Sequence, residues 1–304
     1  MPFPPARYST ATGAKSFFLR QIITKGYVLS GYRNGQPWTS VNEVTHSTDT
    51  TIDMGGPLNN PTAYPGGMCD DTYAYVLKAD GGVGGVSSNT NRYSMRTNTS
   101  IQFGQSPYTV GNSGTLMHQE QLYAYGKPAN GSAAIMKFNF TTGSWMSSLG
   151  AAYGNNSQTM SAFYHEKYGY HYGDDNGVRL TFATETQAQS PMNGVHGQQK
   201  AISSKLAYVY AGNEGNYAGG YNLRRFNVVT ETNVGNVTKP IGNCGEEDFD
   251  MGQNHQYMLG NYNGEQNNRS WRFNYATDSG YEGGGTMQSK GVPGRSSAVS
   301  TQRS

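Results

Sequence analysis

Apolar and polar residues alternate in short segments that recur along the chain, each opening with a basic residue and followed by a threonine. An alternation with a period of two places the apolar side chains on one face of an extended strand. The five segments are residues 92–95, 137–140, 179–182, 225–228 and 272–275. The matching segment of the first unit, residues 43–46, opens with glutamate instead. The pattern predicts a half-buried strand in each of six units.

A tyrosine marks the strand that precedes each of these segments. The six tyrosines are Tyr27, Tyr75, Tyr123, Tyr170, Tyr208 and Tyr257, at steps of 48, 48, 47, 38 and 49 residues by subtraction. Each is followed two residues later by Leu or Tyr, so the two side chains share one face of a strand. A repeat with this spacing indicates six β units.

A threonine provides a second marker, again once in every unit. The six threonines are Thr48, Thr97, Thr142, Thr184, Thr230 and Thr277. Because a threonine hydroxyl can bond backbone groups in the turn that follows a strand, we expect each of them to mark a hairpin. The two markers agree on six repeats.

Units of about 40 to 50 residues with several strands each are typical of propeller blades, because one small sheet cannot bury both faces until neighbours stack on it. We interpret each unit as four strands, which in the fifth unit are residues 200–204, 206–211, 222–229 and 231–237. A β-helix coil is usually much shorter, and an independent sandwich domain needs about 100 residues. The sequence therefore predicts an all-β, six-bladed β-propeller with four-stranded antiparallel blades.

The repeats also predict the domain boundaries. A single propeller occupies residues 16–280, between an N-terminal arm of residues 1–15 and a C-terminal segment of residues 281–304. The predicted blades cover about residues 16–55, 65–104, 114–150, 159–190, 199–238 and 247–285. Terminal segments of this composition are usually loose, and an ordered one would need a partner surface. Since a closed ring often borrows a strand from one terminus, we expect one of the two ends to complete the sixth blade.

The repeat unit resembles those of kelch-type propellers. The resemblance lies in a Tyr-x-Tyr strand that ends at glycine, followed by Arg-Phe-Asn-x-x-Thr before an outer strand, as in residues 225–230 and 272–277, and it covers about residues 16–280. It implies a propeller fold. Kelch blades usually carry paired glycines and a tryptophan, whereas here the glycines stand alone and only Trp145 occupies the tryptophan position. The resemblance therefore carries no particular kelch activity to this chain.

Composition argues against several kinds of partner. Only 14% of residues are charged, the net charge is +2, and no run of Lys or Arg could follow a phosphate backbone, so we expect no nucleic-acid binding. The chain has no long apolar stretch and no secretory pattern at its start, so we expect no membrane insertion and synthesis in a cytosol. Cys69 and Cys244 fall in the second and sixth units, which favours two buried thiols over a disulfide.

No nucleophile motif, phosphate loop or zinc-ligand spacing occurs, so we expect no catalytic residue and no cofactor. The best site candidate is a shared register five residues before the anchor tyrosine, where adjacent units carry His118 and His165 and the preceding unit carries Asp70. Facing a central channel, these side chains could bind a metal or orient a small polar ligand. The alternative is that both histidines are hydrogen-bonded residues of inner strands.

An acidic stretch before the sixth unit is a second metal candidate. Glu246, Glu247 and Asp250 could bind calcium, although their spacing differs from that of an EF-hand. The alternative is a solvated acidic loop.

Loops between the second and third strands are the best candidates for recognition, because loops on a rigid scaffold usually carry it. Exposed aromatic side chains among Asn and Gln suit sugar rings, which offer apolar faces and hydroxyl rims. The candidates are Trp38, Tyr217 and Tyr221. The alternative is that these side chains fold back onto their own blades.

In its low lysine content and its many Gly, Asn and Tyr residues the chain resembles virion proteins of tailed bacteriophages. The resemblance implies a noncatalytic structural and binding protein of a virion, made in the host cytoplasm, with other virion proteins and host-surface glycans as partners. A carbohydrate-active propeller enzyme with a site at the axis is the alternative. An intracellular kelch-like adaptor would usually carry a further interaction domain.

Overall fold

The structure is a computed structural model, and it describes the chain in segments. These are residues 25–33, 36–45, 47–48, 50–59, 66–69, 72–77, 89–105, 115–118, 121–126, 134–146, 148–149, 161–165, 167–172, 177–191, 200–202, 206–211, 222–238, 249–251, 255–259, 269–286 and 297–300. The described segments are all-β and contain no helix. They accordingly include no helix long and apolar enough to cross a membrane.

Within these segments, 24 strands form six sheets of four strands each, named A to F here. Sheet A contains β1 (Lys25–Arg33), β2 (Gln36–Thr45), β3 (Thr50–Asp53) and β24 (Ser297–Ser300). Sheet B contains β4 (Gly66–Cys69), β5 (Tyr73–Leu77), β6 (Asn89–Ser94) and β7 (Thr99–Gln105). Sheet C contains β8 (Thr115–His118), β9 (Gln121–Gly126), β10 (Ala134–Asn139) and β11 (Ser144–Trp145).

The remaining strands form the last three sheets. Sheet D contains β12 (Ser161–His165), β13 (Tyr168–Tyr172), β14 (Val178–Thr181) and β15 (Thr186–Gln189). Sheet E contains β16 (Lys200–Ile202), β17 (Leu206–Ala211), β18 (Asn222–Asn227) and β19 (Thr232–Thr238). Sheet F contains β20 (Phe249–Met251), β21 (His255–Leu259), β22 (Arg269–Asn274) and β23 (Ser279–Thr286).

Sheets B to F are antiparallel meanders in which each strand pairs with the next along the chain. Sheet A differs, because its order is β24-β1-β2-β3 and the C-terminal strand β24 pairs antiparallel with β1, with Tyr27 opposite Val299. Residues 281–286 of the predicted C-terminal segment form most of β23, the fourth strand of sheet F, so this end of the chain does contribute to the sixth unit. The same segment continues to β24, which supplies the fourth strand of sheet A.

The two sequence markers lie side by side in every sheet. The anchor tyrosine and the residue that opens the alternating segment are Cα partners on neighbouring strands: Tyr75 with Arg92, Tyr123 with Lys137, Tyr170 with Arg179, Tyr208 with Arg225 and Tyr257 with Arg272. In sheet A, Tyr27 is opposite Glu43. Because paired residues share a face, Tyr75, Tyr123 and Tyr170 each project to the same side of their sheet as the basic residue opposite.

The threonine lies in the turn that joins the last two strands of each sheet. In five of the six turns its hydroxyl pairs with a hydroxyl two residues later, as in Thr184 with Thr186 at 2.7 Å and Thr230 with Thr232 at 2.8 Å. The backbone N–H of Thr230 donates to Asn227 Oδ1 at 3.1 Å. The threonines thus mark hairpins as expected, but through a side-chain pair and an Asx turn.

Sheets pack on one another through apolar clusters between their faces. Between sheets A and B the cluster includes Tyr27, Val41, Cys69 and Tyr93, and the rings of Tyr27 and Tyr93 meet edge to face at 6.0 Å. The clusters between B and C and between C and D contain Tyr75 and Tyr123 respectively. Between D and E, the chain packs Phe163, Tyr170 and Phe226 together. The buried tyrosines therefore lie at the junctions between sheets.

Candidate functional site

The aromatic residues predicted to bind sugars are not brought together in the described part of the chain. Trp38 lies in β2 opposite Gly31, and the structure describes its backbone but not its side chain. Tyr217 and Tyr221 lie outside the described residues. A sugar-binding role for these residues stays a prediction.

The two register-matched histidines end neighbouring strands. His118 is the last residue of β8 and His165 the last of β12, and these two strands contact each other. The structure describes the backbone of these two histidines but not their side chains, and Asp70 lies outside the described residues. Among the described side chains no group of three or more His, Cys, Asp or Glu could hold a metal ion. The axial site also stays a prediction.

The acidic stretch before sheet F is described only at its end. Asp250 lies in β20 opposite Tyr257, with its side chain outside the description, while Glu246 and Glu247 lie outside the described residues. Cys69 is buried between sheets A and B, and Cys244 lies outside the described residues. The calcium hypothesis and the pairing of the two cysteines are therefore untested.

The polar constellation that the structure does bring together lies between sheets. At the junction of sheets C and D, the Tyr123 hydroxyl donates to Glu185 Oε1 at 3.1 Å and Lys137 Nζ lies 2.5 Å from the same oxygen. Tyr123 and Lys137 belong to sheet C, whereas Glu185 belongs to the last turn of sheet D. One carboxylate thus binds the anchor tyrosine and its basic neighbour on the preceding sheet. We call this arrangement the carboxylate clamp.

The clamp recurs with both contacts at the next junction, and its ion pair is described at the junction after that. Between sheets D and E, Tyr170 donates to Glu231 Oε1 at 2.6 Å and Arg179 Nη1 lies 2.6 Å from Glu231 Oε2. Between sheets E and F, Arg225 Nη1 lies 2.6 Å from Asp278 Oδ2. The ion-paired side chains of the three clamps are 17% to 34% exposed, so solvent screens them only in part.

The clamp carboxylate is presented by a turn residue in the left-handed conformation. The φ angles are 53° at Glu185, 55° at Glu231 and 50° at Asp278, each directly after its marker threonine. A non-glycine residue in this region costs about 1–2 kcal/mol. Hydrogen bonds to charged groups stabilise by about 1.5–3 kcal/mol each, so the contacts across the junction offset the backbone cost.

The clamp keeps its tyrosines protonated. The pKa of Tyr170 is raised above the usual value of about 10, first by burial and then by donation to Glu231. Burial, followed by the Glu185 charge and hydrogen bond, raises the pKa of Tyr123. A phenol in this setting is a hydrogen-bond donor at every physiological pH. These groups are therefore suited to fastening sheets and not to proton transfer.

The junction between sheets A and B has the opposite charge arrangement. Glu43 of β2 occupies the register of the basic residue and accepts hydrogen bonds from Tyr27 at 2.8 Å and Lys25 at 2.6 Å. The left-handed residue in the last turn of sheet B is neutral Asn98, whose Nδ2 donates at 3.0 Å to the carbonyl of Met54, the residue after β3 of sheet A. This turn therefore does not place a second carboxylate beside that of Glu43.

The junction between sheets B and C replaces the ion pair with aromatic rings. The left-handed turn residue is Gly143, with φ 67°, and a Cβ there would lie 3.1 Å from the Phe103 ring. The Arg92 guanidinium lies over the rings of Tyr73 and Phe103, at 4.4 and 4.1 Å from their centroids. Both rings belong to sheet B itself, so here the base is held over ring faces of its own sheet and not by a carboxylate of the next sheet.

Sequence reasoning identified the tyrosine, the base and the threonine of each unit but missed the residue after the threonine. That position carries Asp49, Asn98, Gly143, Glu185, Glu231 and Asp278. Every one of them is acidic, Asn or Gly, and Asn, Asp and Gly are the residues that tolerate a left-handed backbone. This restricted choice of residues is visible in the sequence. The sequence does not show which residue the charge contacts, because that residue lies on a neighbouring sheet.

Comparison with known proteins adds no family: the sequence matches no protein-family model and none of the curated proteins.

Proposed function

We propose that the six sheets are the blades of a closed six-bladed β-propeller, which serves as a noncatalytic structural and binding module of a virus particle of the tailed-phage kind. The supporting observation is the carboxylate clamp. In the described segments the acidic side chains at the sheet junctions, together with buried tyrosines and half-buried bases, hold one sheet to the next.

Contacts between strands support ring closure. One edge strand of each sheet contacts the corresponding strand of the next sheet, and the series β24, β4, β8, β12, β16 and β20 returns to β24. A series of six sheets that returns to its start is what a closed ring requires.

The burial of sheet A supports closure independently. Tyr27 and Val41 project toward sheet B, while Val28, Asn42 and Val44 project to the opposite face and are equally buried. A sheet at the end of an open stack would expose one face. Strands β1 and β3 contact β20 and β23 of sheet F, which supplies the cover.

The way in which the described polar groups are used supports a structural role. Phenols with raised pKa values and carboxylates paired with bases across junctions are poor general acids or bases near neutral pH, because each is already committed to a partner. A ring whose described polar groups are committed in this way suits a scaffold that presents loops. Other virion proteins and host-surface glycans are the proposed partners, and the virion is the proposed location.

Electron microscopy tests the proposal directly. Particles that carry the chain, labelled with an antibody against it, should show density for a disc with six radial blades attached to capsid, tail or fibre. Absence of the chain from every particle preparation, together with a purified chain that is not disc-shaped, would reject both parts of the proposal.

Glycan binding separates the proposed function from the enzymatic alternative. The purified chain should bind surface polysaccharide of its host without releasing new reducing ends, and Trp38→Ala should weaken that binding while leaving the far-ultraviolet spectrum unchanged. Polysaccharide cleavage that is lost in both His118→Ala and His165→Ala would support the enzyme instead.

A further inference from the structure

Two polar side chains of sheet B have buried atoms that bond to no other described group. Asn91 is 1% exposed, and neither its Nδ2 nor its Oδ1 atom has a hydrogen-bond partner among the described residues. The Ser100 hydroxyl oxygen is also buried and has no partner in the same part of the chain. Buried polar groups in folded proteins are nearly always hydrogen-bonded, so these atoms require an explanation.

The strand register places both side chains on one face of sheet B. Asn91 of β6 lies opposite Val76, and Ser100 of β7 lies opposite Tyr93, which is two residues further along β6. Val76 and Tyr93 belong to the apolar cluster between sheets A and B. Because alternate residues of a strand share a face, and so do residues opposite each other, Asn91 and Ser100 project into this junction as diagonal neighbours.

The fold does not require an amide at the position of Asn91. The residue directly before the base that lies opposite the anchor tyrosine is Met136 in sheet C and Val178 in sheet D, and both are fully buried. An apolar side chain therefore fills this register in other sheets. Because a buried amide without a hydrogen bond destabilises a fold, an amide in this place points to a ligand that it binds.

We propose that Asn91 and Ser100 bind one ordered water molecule between them. The two side chains are not bonded to each other. A water molecule within about 3 Å of each bridges polar atoms about 5 to 6 Å apart, a separation that diagonal neighbours can provide. The amide offers a donor and an acceptor, and the hydroxyl offers both, so a small neutral ligand that donates and accepts matches them.

This water site goes beyond the proposed function and does not depend on it. Both side chains belong to sheet B, and the packing of sheet B on sheet A is described whether or not the six sheets close into a ring. The water links the third and fourth strands of sheet B through their side chains.

Sheet A carries an equivalent pair. Asn42 occupies the register of Asn91, is 1% exposed, and has neither amide atom bonded within the described segments. Thr51 occupies the register of Ser100 and is buried. The same reasoning assigns a second water molecule to Asn42 and Thr51.

A crystal structure of the unaltered chain, at a resolution that shows ordered water, tests the site directly. We expect density for a water molecule within about 3 Å of both Asn91 and the Ser100 hydroxyl. A protein group in that place, or no density there, would overturn the proposal.

A double-variant cycle tests whether the two side chains share the ligand. Asn91→Leu and Ser100→Ala should each lower the midpoint of thermal unfolding by about 2 to 4 °C, because each removes one partner of the water. The double variant should unfold no lower than the single variants, since both substitutions remove the same bridge. Additive losses, or a higher midpoint in Asn91→Leu, would show that no water joins the pair.

Thr90 provides the matched control for the cycle. It directly precedes Asn91, is equally buried and projects to the opposite face, where its hydroxyl accepts from Trp145 Nε1 of sheet C at 3.4 Å. Thr90→Val and Ser100→Ala should therefore have additive effects on the midpoint. Failure of the water site in either test leaves the disc shape and the particle labelling, by which the proposed function is judged, unaffected.

Discussion

Three acidic turn residues adopt a left-handed backbone, and each forms an ion pair with a basic residue on the preceding sheet. They are Glu185, Glu231 and Asp278. The conformation ends the turn, and the side chain reaches the neighbouring sheet, so one residue performs a local and a long-range task. At the residue scale the stability of the fold therefore depends on a few turn positions that carry little apolar surface.

Replacing the clamp residue of sheet E separates these two tasks. Glu231→Ala should lower the free energy of unfolding by about 2 kcal/mol, because Arg179 and Tyr170 lose their acceptor and the left-handed cost remains. Glu231→Gly loses the same contacts but removes the backbone cost, so it should be about 1 kcal/mol more stable than Glu231→Ala. Urea denaturation measures both.

Val229→Ala is the control for that pair, since Val229 lies in the same turn and is 62% exposed. It should change stability by no more than about 0.5 kcal/mol. Equal stabilities for Glu231→Ala and the control would mean that the clamp contributes nothing.

The buried tyrosines predict a loss of stability at high pH. Burial, with a smaller contribution from Glu43, raises the pKa of Tyr93 to about 12, and the pKa values of Tyr27, Tyr123 and Tyr170 are also raised. A raised folded pKa means that the folded state holds the proton more tightly. The stabilisation is therefore complete below about pH 10 and is lost as pH rises through the folded pKa.

Absorbance at 295 nm during alkaline titration measures this effect. We expect part of the tyrosine signal to appear only on unfolding, together with a fall in the thermal midpoint above about pH 10. Tyr170→Phe should make that fall shallower. A titration in which every tyrosine ionises near pH 10 with the fold intact would contradict the burial described for these side chains.

At the scale of elements, the junction between sheets B and C shows how closely two sheets can approach. A Cβ on Gly104 of β7 would clash with the Gly143 carbonyl oxygen, and one on Gly143 would press on the Phe103 ring. Both glycines have positive φ, at 87° and 67°. Glycine is thus required here for the packing of sheets as well as for the backbone.

Three alanine substitutions separate the two requirements. Gly55→Ala, at φ 77° with nothing within 4 Å of the new Cβ, should cost only the left-handed penalty of about 1 kcal/mol. Gly143→Ala should cost about 1 kcal/mol more, because the ring must move. Gly104→Ala should be the most destabilising of the three, since a backbone atom cannot yield as a side chain can. Similar free energies of unfolding for all three would show that the sheets are not in close contact.

At the scale of the whole molecule, strand β24 connects the two ends of the chain. It pairs with β1 across residues 26–29 and contacts β4 and β20 of the sheets on either side. Because these contacts join residues distant in sequence, forming them closes a long loop and costs conformational entropy. The first sheet and its contacts with sheets B and F thus depend on a strand of four residues.

Removing residues 297–304 should therefore destabilise the entire molecule and not only its end. We expect a lower and broader thermal transition and self-association on size-exclusion chromatography, because the unpaired edge of β1 can accept a strand from another copy. Removing only residues 302–304, which follow the strand, is the matched control. A truncated chain that stays monomeric with an unchanged midpoint would contradict the role of β24.

Much of the fold follows from local pattern. The anchor tyrosines, the alternating segments and the marker threonines predicted the strands of sheet E closely, and β17 matches its predicted bounds at Leu206–Ala211. Strand alternation and turn chemistry are decided by residues a few positions apart, so they can be read from the chain. The candidate sites were harder, because the residues proposed for sugar or metal binding would have to converge from different repeats.

What the sequence determined by itself was the repeat: the six β units, the strands and turns of each, and the alternation that places each anchor tyrosine on one face with the residue two positions later. Tertiary structure decided what those faces meet. The Tyr170 hydroxyl bonds a carboxylate 61 residues away, Gly143 makes room for Phe103, and a C-terminal strand completes the first sheet. Each of these depends on stacking order, which joins residues far apart in the chain and leaves no local periodic trace.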